Sequence, residues 1–110
     1  IDFQYETEAP HRDGIFSAKL PLLERPLPFW IYGRNLLFLD AYYLLAETVE
    51  RGSWNPICSM LINIHYGQYA SLGQWYNTVS IEEKGVRLQN EFDGSSFFLE
   101  NPKELQWKDM

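Results

Sequence analysis

Polar and apolar residues alternate at the start of the chain, where Phe3 and Tyr5 are separated by Gln4 and followed by Glu6. A period of two predicts a half-buried strand over residues 2–7 with both rings inward. Pro10 interrupts the pattern and Asp13-Gly14 signals a turn, so residues 15–20 are expected to return as a second strand. Pro21, Pro26 and Pro28 lack amide hydrogens and exclude regular structure over residues 21–28. Residues 35–51 read as a helix. Asp40, Glu47, Glu50 and Arg51 fall near one stripe at helical spacing, with leucines and Val49 filling much of the rest, and Gly52 suits a left-handed end.

Beyond that helix the pattern is that of strands. Residues 57–66 are apolar on both faces around Met60, Leu61, Ile62 and Ile64, as in a central strand covered on both sides. Residues 66–73, with two glycines, read as a loop. Trp75, Val79 and Ile81 alternate with Tyr76, Thr78 and Ser80, and Val86, Leu88 and Phe92 alternate with Arg87, Gln89 and Glu91. These two stretches predict a hairpin with one apolar face, joined at Lys84-Gly85 with Gly85 at positive φ. Phe97, Phe98 and Leu99 form a short last strand. Asn101, Pro102 and Glu104 then resemble a helix start: a cap, a proline at the first position and a capping-box carboxylate. The expected fold is α+β, a largely antiparallel sheet packed against one main helix at about residues 35–51, with a short C-terminal helix, all in one domain over residues 1–110.

Composition narrows the partners. The chain has 110 residues, of which 45% are hydrophobic, enough for one real core without disulfides or a metal. Its formal net charge is -6, with 9 basic residues scattered along it. Phosphate backbones and anionic membranes call for clustered Lys and Arg, so neither nucleic acid nor a membrane is an expected partner. An acidic surface steers towards a basic partner, and equally serves solubility. Aromatic residues make up 16%, supplying a ring-rich core or rings that face a partner. No stretch nears a membrane span and no basic-then-apolar leader is seen.

Catalytic and metal-binding constellations are not legible. Cys58 is the only cysteine, which fits a reducing, cytoplasmic setting, and its apolar neighbours mark it as a small buried hydrophobe. His65 ends the central strand and reads as a hydrogen-bonded strand-end residue; His11, beside Pro10, reads as solvated. On one strand Cys58 and His65 would stand ~23 Å apart and face opposite ways, so they make no dyad, though Cys58 and His11 could meet in space. Glu82 and Glu83 are neighbours that face apart and suit a solvated hairpin tip better than an acid–base pair. The glycines form no phosphate-binding loop. No catalytic residue, no cofactor and no metal ligand is expected.

Residues 57–100 carry an apolar strand near Ser59-Met60, a Trp-bearing strand over 75–81, and the charged turn Glu82-Glu83-Lys84-Gly85. A strand closing on Gln89-Asn90 and a later Phe98-Leu99-Glu100 follow. This stretch resembles immunity proteins of bacterial contact-dependent growth inhibition. The resemblance implies a cytoplasmic inhibitor that binds a basic toxin domain, such as a nuclease, stoichiometrically. On that reading Tyr66 and Tyr69 are the aromatic anchors, and Glu82, Glu83, Glu91 and Asp93 supply the electrostatic half. The alternatives are a general protein-interaction domain, or a small-molecule-binding domain whose mark is a concave apolar pocket with a few converging polar groups.

Overall fold

The computed structural model describes residues 2–8, 13–20, 26–34, 36–52 and 55–109. Among the described residues there are eleven strands: β1 Asp2–Glu8, β2 Gly14–Lys19, β3 Trp30–Tyr32, β4 Leu37–Phe38, β5 Tyr43–Val49, β6 Pro56–Asn63, β7 Gln68–Ser71, β8 Thr78–Glu82, β9 Gly85–Gln89, β10 Ser96–Leu99 and β11 Lys108–Asp109. They form an eight-stranded antiparallel sheet in the order β1-β2-β3-β5-β6-β7-β11, with β4 also on β5, and a three-stranded sheet in the order β10-β9-β8. Among the described residues the single helical segment is a 3-10 turn, Pro102–Glu104.

The fold is therefore almost all β, and the expected α+β arrangement is overturned at its main element. The described part of that stretch, residues 36–51, holds no helix. Asp40 Oδ1 accepts the amides of Tyr42 (2.7 Å) and Tyr43 (3.0 Å), forming a tight turn between β4 and β5. β5 then pairs on its two sides with β3 and β6. Alternate residues leave it for opposite faces: Leu44 and Ala46 enter one core, Leu45 the other. Because both faces are covered, apolar residues fill nearly every position, and a two-sided strand cannot be told from a broad-faced helix by hydrophobicity alone. Gly52 (φ 79) does adopt the left-handed conformation, but to close the turn after β5 rather than to end a helix. The C-terminal helix is likewise reduced to a single 3-10 turn, with Asn101 Oδ1 accepting the Lys103 amide at 3.0 Å.

The remaining strands follow the pattern more closely. Leu61 and Ile62 are fully buried in the central strand β6, as expected. Residues 66–73 contain β7 rather than only a loop. The hairpin of β8 and β9 forms, but its turn is Glu83-Lys84 rather than the expected Lys84-Gly85: Gly85 is the first residue of β9 and pairs with Glu82. Yet its apolar alternation is only half used: Val86 and Leu88 are buried, while Ile81 is 71% exposed. Phe3 and Tyr5, expected inward, are exposed on the edge strand β1. Expectations for His11, for residues 21–25 and for the turn at Ser53 lie outside the described residues.

The large sheet is covered on both faces. One face carries Ile31, Leu44, Ala46, Cys58, Met60 and Ile62, capped by Leu27 and Phe29 from the segment before β3. The opposite face presents Leu45 and Leu61 to Val86, Leu88 and Leu99 of the small sheet. Further along that second face, Ile15, Tyr32 and Val49 pack with Trp30 and Trp75. Among the described residues no helix is long and apolar enough to cross a membrane.

Gly85 is needed for proximity, not for backbone freedom. Four glycines have positive φ and Gly85 is not among them. A Cβ there would run into the Leu99 carbonyl oxygen and lie 3.0 Å from Glu100 Cα, both backbone atoms of the adjoining strand end. Gly85→Ala should therefore push β9 and β10 apart and cost about 1–3 kcal/mol, measured as a lower urea midpoint. An unchanged midpoint would mean the two strands do not approach so closely.

Candidate functional site

Where the small sheet stops, the second face of the large sheet is left partly open. The result is a cleft of about 300 Å³ between that face and the turn joining β9 to β10. It is lined by Tyr32, Arg34, Glu47, Pro56, Trp75, Asn77, Asn90 and Phe92. Tyr32 and Glu47 reach it because both point to the same face as Leu45, and a register shift in β5 between Glu47 and Val49 breaks the ladder beside it. The rings of Tyr32 and Trp75 meet edge to face at 5.6 Å.

Glu47 is only 3% exposed. A buried carboxylate needs a partner, and Arg34 supplies one: its Nε donates to Glu47 Oε2 at 3.0 Å. The other arm of the same guanidinium donates to Asp13 Oδ2 at 2.7 Å. Its carbon lies 4.7 Å from the centre of the Tyr32 ring. Burial opposes the Arg34 charge, but the hydrogen bond and charge of Glu47, with those of Asp13, hold its pKa above the ordinary arginine value. Arg34 is placed by Gly33, whose amide donates to the Gly14 carbonyl at 2.9 Å and ties β3 to the start of β2.

The turn at residues 90–95 is the most completely bonded feature of the site. Asn90 Oδ1 accepts the amides of Phe92 (2.8 Å) and Asp93 (3.4 Å), and Asn77 Oδ1 accepts that of Glu91 (3.0 Å). The amide of Asn90 donates to the Ser95 carbonyl and that of Gly94 to the Asn90 carbonyl, both at 2.9 Å. Asp93 Oδ1 accepts the Ser95 amide at 2.8 Å and its hydroxyl at 2.6 Å. Every backbone amide from residue 90 to residue 95 thus has an acceptor, and Asn90 Nδ2 pins the turn to the Trp75 carbonyl at 3.1 Å. On this fixed turn Phe92 is 92% exposed. The inward position expected for Phe92 is wrong, because β9 ends at Gln89 and the alternation does not continue into the turn.

The Ser95 hydroxyl, and then its amide, hold the Asp93 carboxyl below its ordinary pKa. A depressed carboxylate contributes stability above its unfolded pKa and loses it as pH falls through the folded one. Following the Ser95 amide resonance against pH should give a midpoint below the ~3.9 of an unperturbed aspartate. A midpoint at or above that value would mean these hydrogen bonds do not form.

The six residues expected at an interface are not brought together. Glu91 and Asp93 flank Phe92 beside the cleft. Glu82 and Glu83 sit at the opposite end of the β8–β9 hairpin, four residues or about 13 Å of strand away, and Glu82 is paired with Arg87 at 2.9 Å. Tyr66 is 72% exposed on the β6–β7 turn, where Asn63 Oδ1 accepts the amides of His65 and Tyr66, both at 3.0 Å. That turn adjoins the Tyr43 end of β5, again about 13 Å of strand from Glu47. Tyr69 is half-buried, its ring meeting Phe29 edge to face at 5.3 Å and packing against the core. His65 lies in the turn, exposed, with its ring between Tyr42 (5.6 Å) and Tyr66 (5.0 Å), rather than at a strand end. Cys58 is buried as expected, its Sγ 3.1 Å from Ser71 Oγ.

Sequence reasoning missed Arg34, Glu47 as a site residue, Trp75 and Phe92. A signal for Phe92 was present: Asn90 and Gly94 are four residues apart around it, as Asn63 and Gly67 are around Tyr66, although Phe92 is second and Tyr66 third after the asparagine, and both glycines have positive φ. An asparagine that caps its own turn and a glycine four residues on mark a turn that can hold a ring outward. Among the described residues no group of histidine, cysteine or carboxylate side chains is arranged to hold a metal ion. Comparison with protein families, with curated proteins and with solved structures found no match for this chain.

Proposed function

We propose that this protein is a non-catalytic binding protein that holds a basic protein partner stoichiometrically through the Phe92 turn. The partner class is a toxin domain, and the setting is the cytoplasm. The observation that carries the reading is Phe92 itself, a ring left almost wholly in water on a turn whose every amide is already bonded. A ring on a floppy loop loses much of its binding energy to ordering, whereas a ring on a bonded turn is ordered beforehand. Burying it against a partner is worth about 1.5–3 kcal/mol.

Charge supports a basic partner. Glu91 and Asp93 flank the ring, and the chain carries a net -6. A binding role also suits the cleft's ionised groups, which are spent on one another: Arg34 bridges Glu47 and Asp13. The toxin class rests on the resemblance of residues 57–100 to growth-inhibition immunity proteins, and the cytoplasmic setting on the lone buried cysteine.

The test begins with capture from the native lysate at low and moderate salt, followed by titration of the purified partner. One basic protein is expected to bind in a one-to-one ratio and to arrest growth of cells that lack this chain. Glu91→Lys should slow its association several-fold, while Glu82→Lys with Glu83→Lys, at the far end of the small sheet, should leave affinity unchanged. A partner that is harmless to such cells would remove the toxin reading. A partner sensitive to Glu82 and Glu83 but not to Glu91 would move the interface to the other end of the molecule.

A further inference from the structure

Resting on that reading, we infer that the cleft beside Phe92 is a socket for one arginine side chain of the partner. Three rings line the space: Tyr32 and Trp75, edge to face, and the exposed Phe92. About 300 Å³ lies at the lower limit of ligand pockets and suits one long side chain better than a larger ligand.

The charge balance selects the sign of the occupant. Among the described residues that line the cleft Arg34 is the only cation, and Glu47 and Asp13 already claim it. Glu91 and Asp93, the chain neighbours of Phe92, add negative charge to the same turn without lining the cleft. An incoming anion would meet several carboxylates and a guanidinium that is already engaged. An incoming cation meets a net negative field and aromatic faces. The shape of the cation follows from Arg34, whose guanidinium sits 4.7 Å over the Tyr32 ring while bonding carboxylates at its edge. The cleft thus already holds one planar guanidinium by ring stacking and charged hydrogen bonds, the combination that favours arginine over the compact ammonium of lysine. The exposed Phe92 ring offers a second face for the same contact.

The test titrates Nα-acetyl-arginine amide into the wild-type full chain, following the Trp75 indole and Asn77 side-chain amide resonances. The neutral isostere Nα-acetyl-citrulline amide, the lysine analogue and the glutamate analogue serve as comparisons. Saturable shifts at Trp75 and Asn77 are expected with the arginine compound, at least about tenfold tighter than with citrulline, and weakening as salt rises. Equal response to arginine and citrulline, preference for lysine or glutamate, or shifts confined to other regions would overturn the socket, as would silence up to about 100 mM, well past the ~millimolar range of single-group contacts. Failure here together with loss of partner binding in a Phe92 variant would remove the socket and leave the binding reading standing.

Discussion

Phe92→Ala should lower the affinity for the partner by at least about tenfold while changing the stability of the free chain by no more than about 0.5 kcal/mol. The two halves of that expectation come from one fact. The Phe92 ring touches water on nearly all sides in the free protein, so its removal opens no cavity. Nor does the turn depend on the ring, since its amides are bonded to Asn77, Asn90 and Asp93 side chains and to backbone carbonyls. The ring's contribution is thus deferred until a partner covers it. Titration calorimetry with the captured partner and urea unfolding of the free variant check the two halves separately. A large loss of stability would mean the ring is packed in the free chain. Unchanged affinity would mean the partner binds elsewhere.

The opposite behaviour is expected of Leu61→Ala, which should cost about 2–5 kcal/mol of stability. Leu61 is fully buried in β6 and meets the small sheet through the cluster of Val86, Leu88 and Leu99. Its backbone pairs with Leu45 on one side and Ala70 on the other, so the strand cannot shift to fill the gap without moving two neighbours. Urea denaturation should show the midpoint falling with little change in slope. A loss under about 1 kcal/mol would mean the two sheets are not packed through this residue.

These two positions also illustrate what was legible in the sequence. Leu61 lies in a run whose two-sided apolar character identifies a central strand, and the structure places it there. The same character misled at residues 35–51. A strand buried on both faces offers no polar side to reveal a period of two, and the leucines, alanines and glutamates of this stretch are also good helix formers. What decides the matter is tertiary: β3 and β6 are available to pair with β5 on both sides, and Asp40 caps a turn that a single-sequence reading takes for one point on a polar stripe.

The site was legible in part for a related reason. Glu91 and Asp93 stand out as charges in a turn, but Phe92 between them was assigned inward by extending the alternation of β9 past its end. Tyr66 is an exposed ring, and Tyr69, three residues on, is half-buried against the core. Tyr32 ends β3 and Arg34 follows it, while Glu47 lies on β5, so Glu47 meets the other two only because β3 and β5 are neighbours in the sheet. No spacing along the chain encodes that meeting. Glu47 in particular reads as a solvated helix residue in sequence and is a buried, paired carboxylate in the fold.

The most direct test of the binding face is hydrogen–deuterium exchange of the free chain and of its complex with the captured partner. Slowed exchange on binding should concentrate in residues 90–95 and around Arg34 and Asn77, with the turn at residues 64–67 unaffected. Protection centred instead on Tyr42, His65 and Tyr66, with the Phe92 turn exchanging as in the free chain, would contradict the account.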